Sequence, residues 1–125
     1  MSEKTLANIC KPILGPDNFS IHSGWFSRTV PSLAAETRFA MLHIDSDLYQ
    51  SAIDVLDPIF ERGMLSRGAI ICFDDWNANE ADPDFGERRA WAEIVDKYSV
   101  RFSNHGPYSW QGYQVIVHSY NTENP

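Results

Sequence analysis

Two short runs in this chain are apolar at almost every position: Phe39-Ala-Met-Leu-His-Ile44 and Ala69-Ile-Ile-Cys-Phe73. A strand with one wet face alternates apolar and polar residues, whereas a strand covered on both faces does not. Both runs therefore read as strands buried on both faces, as in a parallel sheet. Between them, Tyr49–Met64 carries Ile53, Leu56, Ile59 and Phe60 at helical spacing. Strand, helix, strand is a βαβ unit, with parallel strands and a right-handed crossover. Asp57-Pro58 falls inside the helical stretch. Proline is accepted in a first helical turn, so a second reading divides the stretch into two short helices with Asp57 as a cap.

The flanks complete an α/β domain. Leu6, Ile9, Cys10, Ile13 and Leu14 share one face of a helix over Glu3–Leu14, which Pro12 is expected to kink or end early. Phe19–His22 reads as a short strand leading into Gly24-Trp25-Phe26. Ser66-Arg67-Gly68 reads as a loop, and Asn77–Asp84 as a polar, acidic one. Phe85–Tyr98 is an amphipathic helix with Trp91, Ile94, Val95 and Tyr98 on one face. Val100–Asn104 and Tyr113–His118 form an antiparallel pair about a turn at Gly106-Pro107. Trp25, Trp91 and Trp110 read as packing residues, and His43 as a packed, hydrogen-bonded strand residue. The 125 residues suit a single domain.

The formal net charge is −7 and the basic residues are scattered. That argues against a nucleic-acid partner, which needs a clustered positive footprint. No charged leader with an apolar core opens the chain and no apolar run reaches membrane-spanning length, so a soluble, cytoplasmic protein without a membrane partner is expected. The two cysteines, Cys10 and Cys72, have no metal-type neighbours and read as free core thiols.

The first buried strand runs into Asp45-Ser46-Asp47 and the second into Asp74-Asp75. In open α/β sheets ligands bind beyond the carboxyl ends of the strands. Neighbouring strands lie about 4.8 Å apart, so the two acidic groups converge on one rim. Like charges that close need a cation or a proton between them. Oxygen-only donors favour Mg²⁺, Mn²⁺ or Ca²⁺ over zinc. Aspartate is also a favoured helix N-cap. Capping would account for any one of these residues, but poorly for both strand ends.

Two resemblances bear on the acids. Asp45-Ser46-Asp47 resembles the Asp-x-Asp motif of metal-dependent glycosyltransferases, which hold a nucleotide sugar's phosphates through a metal. A longer series resembles the macrocin O-methyltransferase family: Gly24-Trp-Phe-Ser-Arg-Thr-Val-Pro31, Leu42-His-Ile-Asp-Ser-Asp-Leu-Tyr-Gln-Ser51 and Phe73-Asp-Asp-Trp76, in that order. The likeness runs from about Leu6 to Tyr120. It implies a class I S-adenosylmethionine-dependent methyltransferase fold, a Rossmann-like sheet of parallel strands flanked by helices, with an antiparallel pair at the carboxyl end. It implies methyl transfer to a hydroxyl of a sugar or another small-molecule acceptor, with S-adenosylmethionine and Mg²⁺ or another hard divalent cation as cofactors. Carried over by motif, Asp45, Asp74 and Asp75 hold the metal, and Asp45 and Asp47 serve catalysis. Gly24, Trp25, Phe26, Ser27 and Asp45 meet the cofactor, and Tyr49 and Trp76 border the acceptor.

The chain also departs from that pattern. Class I methyltransferases hold the cofactor's amino-acid end on a glycine-rich turn after their first strand, and their second strand ends in an acid. The seven glycines contain no Gly-x-Gly pair. The chain is thus expected to be a truncated version of the sheet, lacking the first two strands, as in the carboxyl-terminal two-thirds of such an enzyme. Phe39–Ile44 then becomes an apolar edge, a pairing hazard. Either Phe19–His22 moves in to pair with it, or a second copy covers it in a homodimer. The alternatives to an enzyme of this kind are a non-catalytic oligomeric binding domain derived from the fold, or the glycosyltransferase.

Overall fold

The computed structural model describes residues 1–122. Helices α1 (Glu3–Leu14) and α2 (Phe26–Thr29) lead to strand β1 (Phe39–Ile44), helix α3 (Tyr49–Glu61) and strand β2 (Leu65–Phe73). Helix α4 (Gly86–Tyr98) and the hairpin β3 (Arg101–Pro107) and β4 (Tyr113–Ser119) follow. β1 and β2 are parallel neighbours, and the sheet order is β1-β2-β4-β3 with β4 antiparallel to both its neighbours. This is the parallel unit with a closing antiparallel pair that the sequence predicts. No described helix is long and apolar enough to cross a membrane.

One core holds these elements together. Ala52, Leu56, Ile59 and Phe60 of α3 meet Ala90, Trp91, Ile94 and Tyr98 of α4 over one face of the sheet. That face is Leu42 and Ile44 of β1, Ala69, Ile71 and Phe73 of β2, and Val115 and Val117 of β4. The Phe60 ring is at its centre, 6.0 Å from Trp91, 5.7 Å from Tyr98 and 4.8 Å from Tyr120.

The opposite face differs from expectation. β1 is not buried on both sides: Leu42 and Ile44 are buried, but His43 is exposed and Met41 is 56% exposed. A strand is covered on both faces only where an element lies over each, and α3 and α4 both serve the same face. The α1 face of Leu6, Ile9, Ile13 and Leu14 is likewise exposed and contributes no buried residue.

Local chemistry explains the other departures. Phe19–His22 forms no strand, because a strand needs a partner for its backbone groups and none lies beside it among the described residues. Pairing of that segment with β1 is therefore not the outcome. α1 runs through Pro12, which removes one backbone donor near the helix end, while the Gly15 N–H closes the last turn on the Lys11 carbonyl at 2.9 Å. α3 is likewise one helix through Pro58. Asp57 does not cap; its carboxylate accepts from the Tyr98 hydroxyl at 2.6 Å and Lys97 Nζ at 2.9 Å. Ser66–Gly68 is a bulge inside β2, since Phe39 pairs with Leu65 but Met41 with Ile70. Gly106 and Pro107 pair with β4, which moves the hairpin turn to Tyr108–Gly112. Trp91 is a core residue, but Trp25 and Trp110 are 78% and 83% exposed. Cys10 and Cys72 are free; only Cys72 is buried.

Candidate functional site

The register of the parallel pair sets the site. Ile44 lies opposite Phe73, so Asp45 and Asp74 leave the sheet side by side. The Asp74 N–H donates to the Ile44 carbonyl at 2.9 Å and continues the ladder one residue beyond the strands. One carboxylate oxygen from each of Asp45, Asp74 and Asp75 can lie within 4.8 Å of the others. Asp45 is exposed and the other two are half-buried. Burial raises the Asp75 pKa, and the charges of Asp45, Asp47 and Asp74 push it the same way. Three carboxylates with no thiol among them are the donor set of a hard divalent cation, so these residues fit the group that the resemblance implies.

The capping alternative does not describe these aspartates. The N-cap of α3 is Leu48 and that of α4 is Phe85, and neither helix start has a side-chain cap. Asp47 sits instead in the left-handed region, φ 60°, which aspartate tolerates better than most residues. Its N–H donates to Asp75 Oδ2 at 3.1 Å, which folds the end of one strand over the end of the other. Its own charge is near enough to help raise the Asp75 pKa.

Three further side chains hold the cluster. Asp74 Oδ1 accepts from the Tyr108 hydroxyl at 3.1 Å and lies 3.3 Å from His43 Nε2. His43 is hydrogen-bonded as its strand position suggested, but on the exposed face. Glu87, in the first turn of α4, is 1% exposed. It accepts from the Asp75 N–H at 3.0 Å and, more weakly, from the Ser46 N–H at 3.5 Å. Burial pushes its pKa up to about 7, against the pull of those two amides and with the help of the Asp75 and Asp74 charges. Sequence reading passed over Glu87 and Tyr108. The signal for Glu87 is its place on the buried stripe of α4, one turn before Ala90 and Trp91 and two before Ile94.

The remaining residues singled out from the sequence are not among the three clustered carboxylates. The Tyr49 hydroxyl donates to Glu93, and the Arg89 guanidinium sits 4.0 Å from the Tyr49 ring centroid. Trp76 follows the acids directly, but its ring stacks on Tyr113 at 4.9 Å and carries the Arg88 guanidinium at 5.0 Å. Gly24, at φ +131°, and Trp25 lead into α2, which contains Phe26 and Ser27. Phe26 lines an apolar pocket with Val30, Leu33 and Phe39. Phe39 begins β1, at the end opposite Asp45, and none of the clustered aspartates lines that pocket.

Residues 6–99 match a family model described as Macrocin-O-methyltransferase (TylF). A stretch of 74 residues is 35% identical to an 8-demethyl-8-(2,3-dimethoxy-alpha-L-rhamnosyl)-tetracenomycin-C 4'-O-methyltransferase of Streptomyces olivaceus, covering 59% of this chain and 27% of that protein. Among solved structures, the O-methyltransferase NovP aligns with a TM-score of 0.73 at 21% identity, over 95% of this chain and 46% of its own. CalS11, a TDP-rhamnose 3'-O-methyltransferase of calicheamicin biosynthesis, aligns with a TM-score of 0.56 at 27% identity, over 76% of this chain and 39% of its own. At its level of identity the NovP likeness is one of fold. The chain spans less than half the length of each of these relatives.

Proposed function

We propose that this chain, which belongs to the macrocin-O-methyltransferase family, supplies the cation- and acceptor-binding part of an O-methyltransferase acting on a hydroxyl of a sugar or similar small molecule. The observation that carries this reading is the convergence of the Asp45, Asp74 and Asp75 carboxylates at the ends of two parallel strands. The named relatives that methylate rhamnose-bearing substrates support a sugar acceptor. A divalent cation held there would lower the pKa of the acceptor hydroxyl that meets it. The chain's own residues do the rest. Asp45, Asp74 and Asp75 orient the acceptor through their shared position, and Asp47 stands ready to take the hydroxyl proton.

Family membership implies S-adenosylmethionine as the methyl donor. Its amino-acid end does not fit these residues, because the seven glycines include no Gly-x-Gly turn and the described sheet holds only two parallel strands. Titration calorimetry tests both halves of the proposal. Mg²⁺ or Mn²⁺ is expected to bind the wild-type chain, and Asp75→Asn to weaken that binding at least tenfold. Undetectable cation binding by the wild type would remove the proposal. Cation binding without binding of S-adenosylhomocysteine would favour a non-catalytic domain derived from the fold. Binding of a nucleoside diphosphate in its place would favour glycosyl transfer.

A second copy of the chain is our proposal for covering the open edge of β1. Beside that edge, the uncovered face of β1 carries the 56%-exposed Met41, and the same chain offers the exposed apolar face of α1. Sedimentation equilibrium is expected to give twice the chain mass, and Met41→Lys to shift it toward one. A wild-type monomer at tens of micromolar would sink this assembly.

A further inference from the structure

The start of α4 is wedged between the two acidic strand ends. Gly86 adopts φ +57°, and a Cβ there would lie 3.4 Å from the Asp47 carbonyl oxygen. The next residue is Glu87. Its two oxygens accept from the Asp75 N–H at 3.0 Å and the Ser46 N–H at 3.5 Å. One amide belongs to a clustered aspartate and the other follows Asp45 directly. A single carboxylate thus ties together the two loops that carry Asp45 and Asp75.

Nothing else in its surroundings accounts for a carboxylate there. Glu87 is the one buried charged residue among those described. Among the described residues no salt bridge reaches it, and the adjacent Arg88 donates to the Trp76 carbonyl and Asn77 Oδ1. The nearby charges are Asp74 and Asp75. The amino end of a helix favours an anion, but a buried charge is ordinarily paired or bound to a metal.

We propose that Glu87 is a positioning residue: by gripping the Ser46 and Asp75 amides it fixes the spacing of the Asp45 and Asp75 carboxylates and so sets their affinity for a divalent cation. This rests on the cation reading of the site. Residues that orient metal ligands typically change metal affinity 10–100-fold when replaced.

The test is calorimetric titration of Mn²⁺ into the folded full chain at pH 7.5, with folding checked by circular dichroism. Glu87→Gln keeps the size but has only one oxygen acceptor for two amides, and is expected to weaken Mn²⁺ binding about tenfold or more. Glu87→Asp keeps the charge but shortens the reach, and is expected to do the same. Asp57→Asn is the control for a carboxylate whose role is stability alone. Asp57 lies two turns along α3, bonded to Tyr98 and Lys97. It should lower the melting temperature and leave Mn²⁺ affinity within twofold. Should Glu87→Gln prove unfolded, Glu87→Asp decides the question. A folded Glu87 variant that binds Mn²⁺ within twofold of the wild type overturns the proposal while the cation site stands. Absence of Mn²⁺ binding by the wild type removes the cation site, and this proposal with it.

Discussion

Phe60→Ala is expected to destabilise the chain by about 4 kcal/mol, read as a lower urea midpoint. Phe60 is fully buried and touches rings from three directions: Trp91 and Tyr98 of α4, and Tyr120 beyond β4. Truncation removes the transfer energy of a benzyl group and leaves a cavity that none of these rings can fill without leaving its own partners. Trp91, for example, also packs against Phe73 at 5.5 Å and Phe102 at 5.1 Å. A domain has only about 5–15 kcal/mol of stability to lose. Met41→Ala, by contrast, removes a side chain that is 56% exposed in the single chain, and at concentrations where the chain is monomeric it should change stability by less than about 0.5 kcal/mol. Equal effects at the two positions would show that the helical face of the sheet is not the single core. The link to function is direct, because α3 is the crossover that makes β1 and β2 parallel and brings their acidic ends to one rim.

How much of this was legible in the sequence depends on the range of the force involved. β1, most of β2, α3 and α4 follow from local apolar spacing, and the carboxylate cluster follows from where the two strands end. The bulge at Ser66–Gly68 was not legible, because Leu65 is held in the sheet by Phe39 across a register shift that no local pattern records. Phe19–His22 carries a strand-like pattern, yet a strand exists only where a neighbour accepts its ladder. The exposed face of β1 has the same origin. Phe39–Ile44 has the composition of a doubly covered strand, and composition does not say whether this chain supplies the second cover. Glu87 is the instructive omission. Its charge alone points to the surface, while its position on the Ala90, Trp91, Ile94 and Tyr98 stripe points inside. Of the two signals, the periodic one was right.

Addition of Mg²⁺ at one hundred times its dissociation constant is expected to raise the melting temperature at pH 8 by about 10 °C, and by much less at pH 5. Ligand linkage at that excess is worth about 2.7 kcal/mol. For a domain of this length, each kcal/mol moves the midpoint by about 4 °C. The pH dependence has a sign that follows from the carboxyls. Folding raises the Glu87 pKa from 4.5 to about 7, chiefly through burial, and raises that of Asp75 in the same direction. A carboxyl whose pKa rises on folding stabilises the fold while it holds its proton. For Glu87 that contribution is complete below 4.5 and lost as pH rises through about 7, a change of about 3 kcal/mol. In chelator the midpoint should therefore fall between pH 5 and pH 8. Mg²⁺ opposes that fall, because it binds the ionised carboxylates and competes with their protons. Asp75→Asn removes a ligand and one of the repelling charges together, so at the same Mg²⁺ concentration it should cut the Mg²⁺-dependent rise to about half or less while flattening the fall in chelator. A midpoint at pH 8 that ignores Mg²⁺, or one that rises equally at pH 5, would mean that Asp45, Asp74 and Asp75 meet at the strand ends for some purpose other than holding a cation.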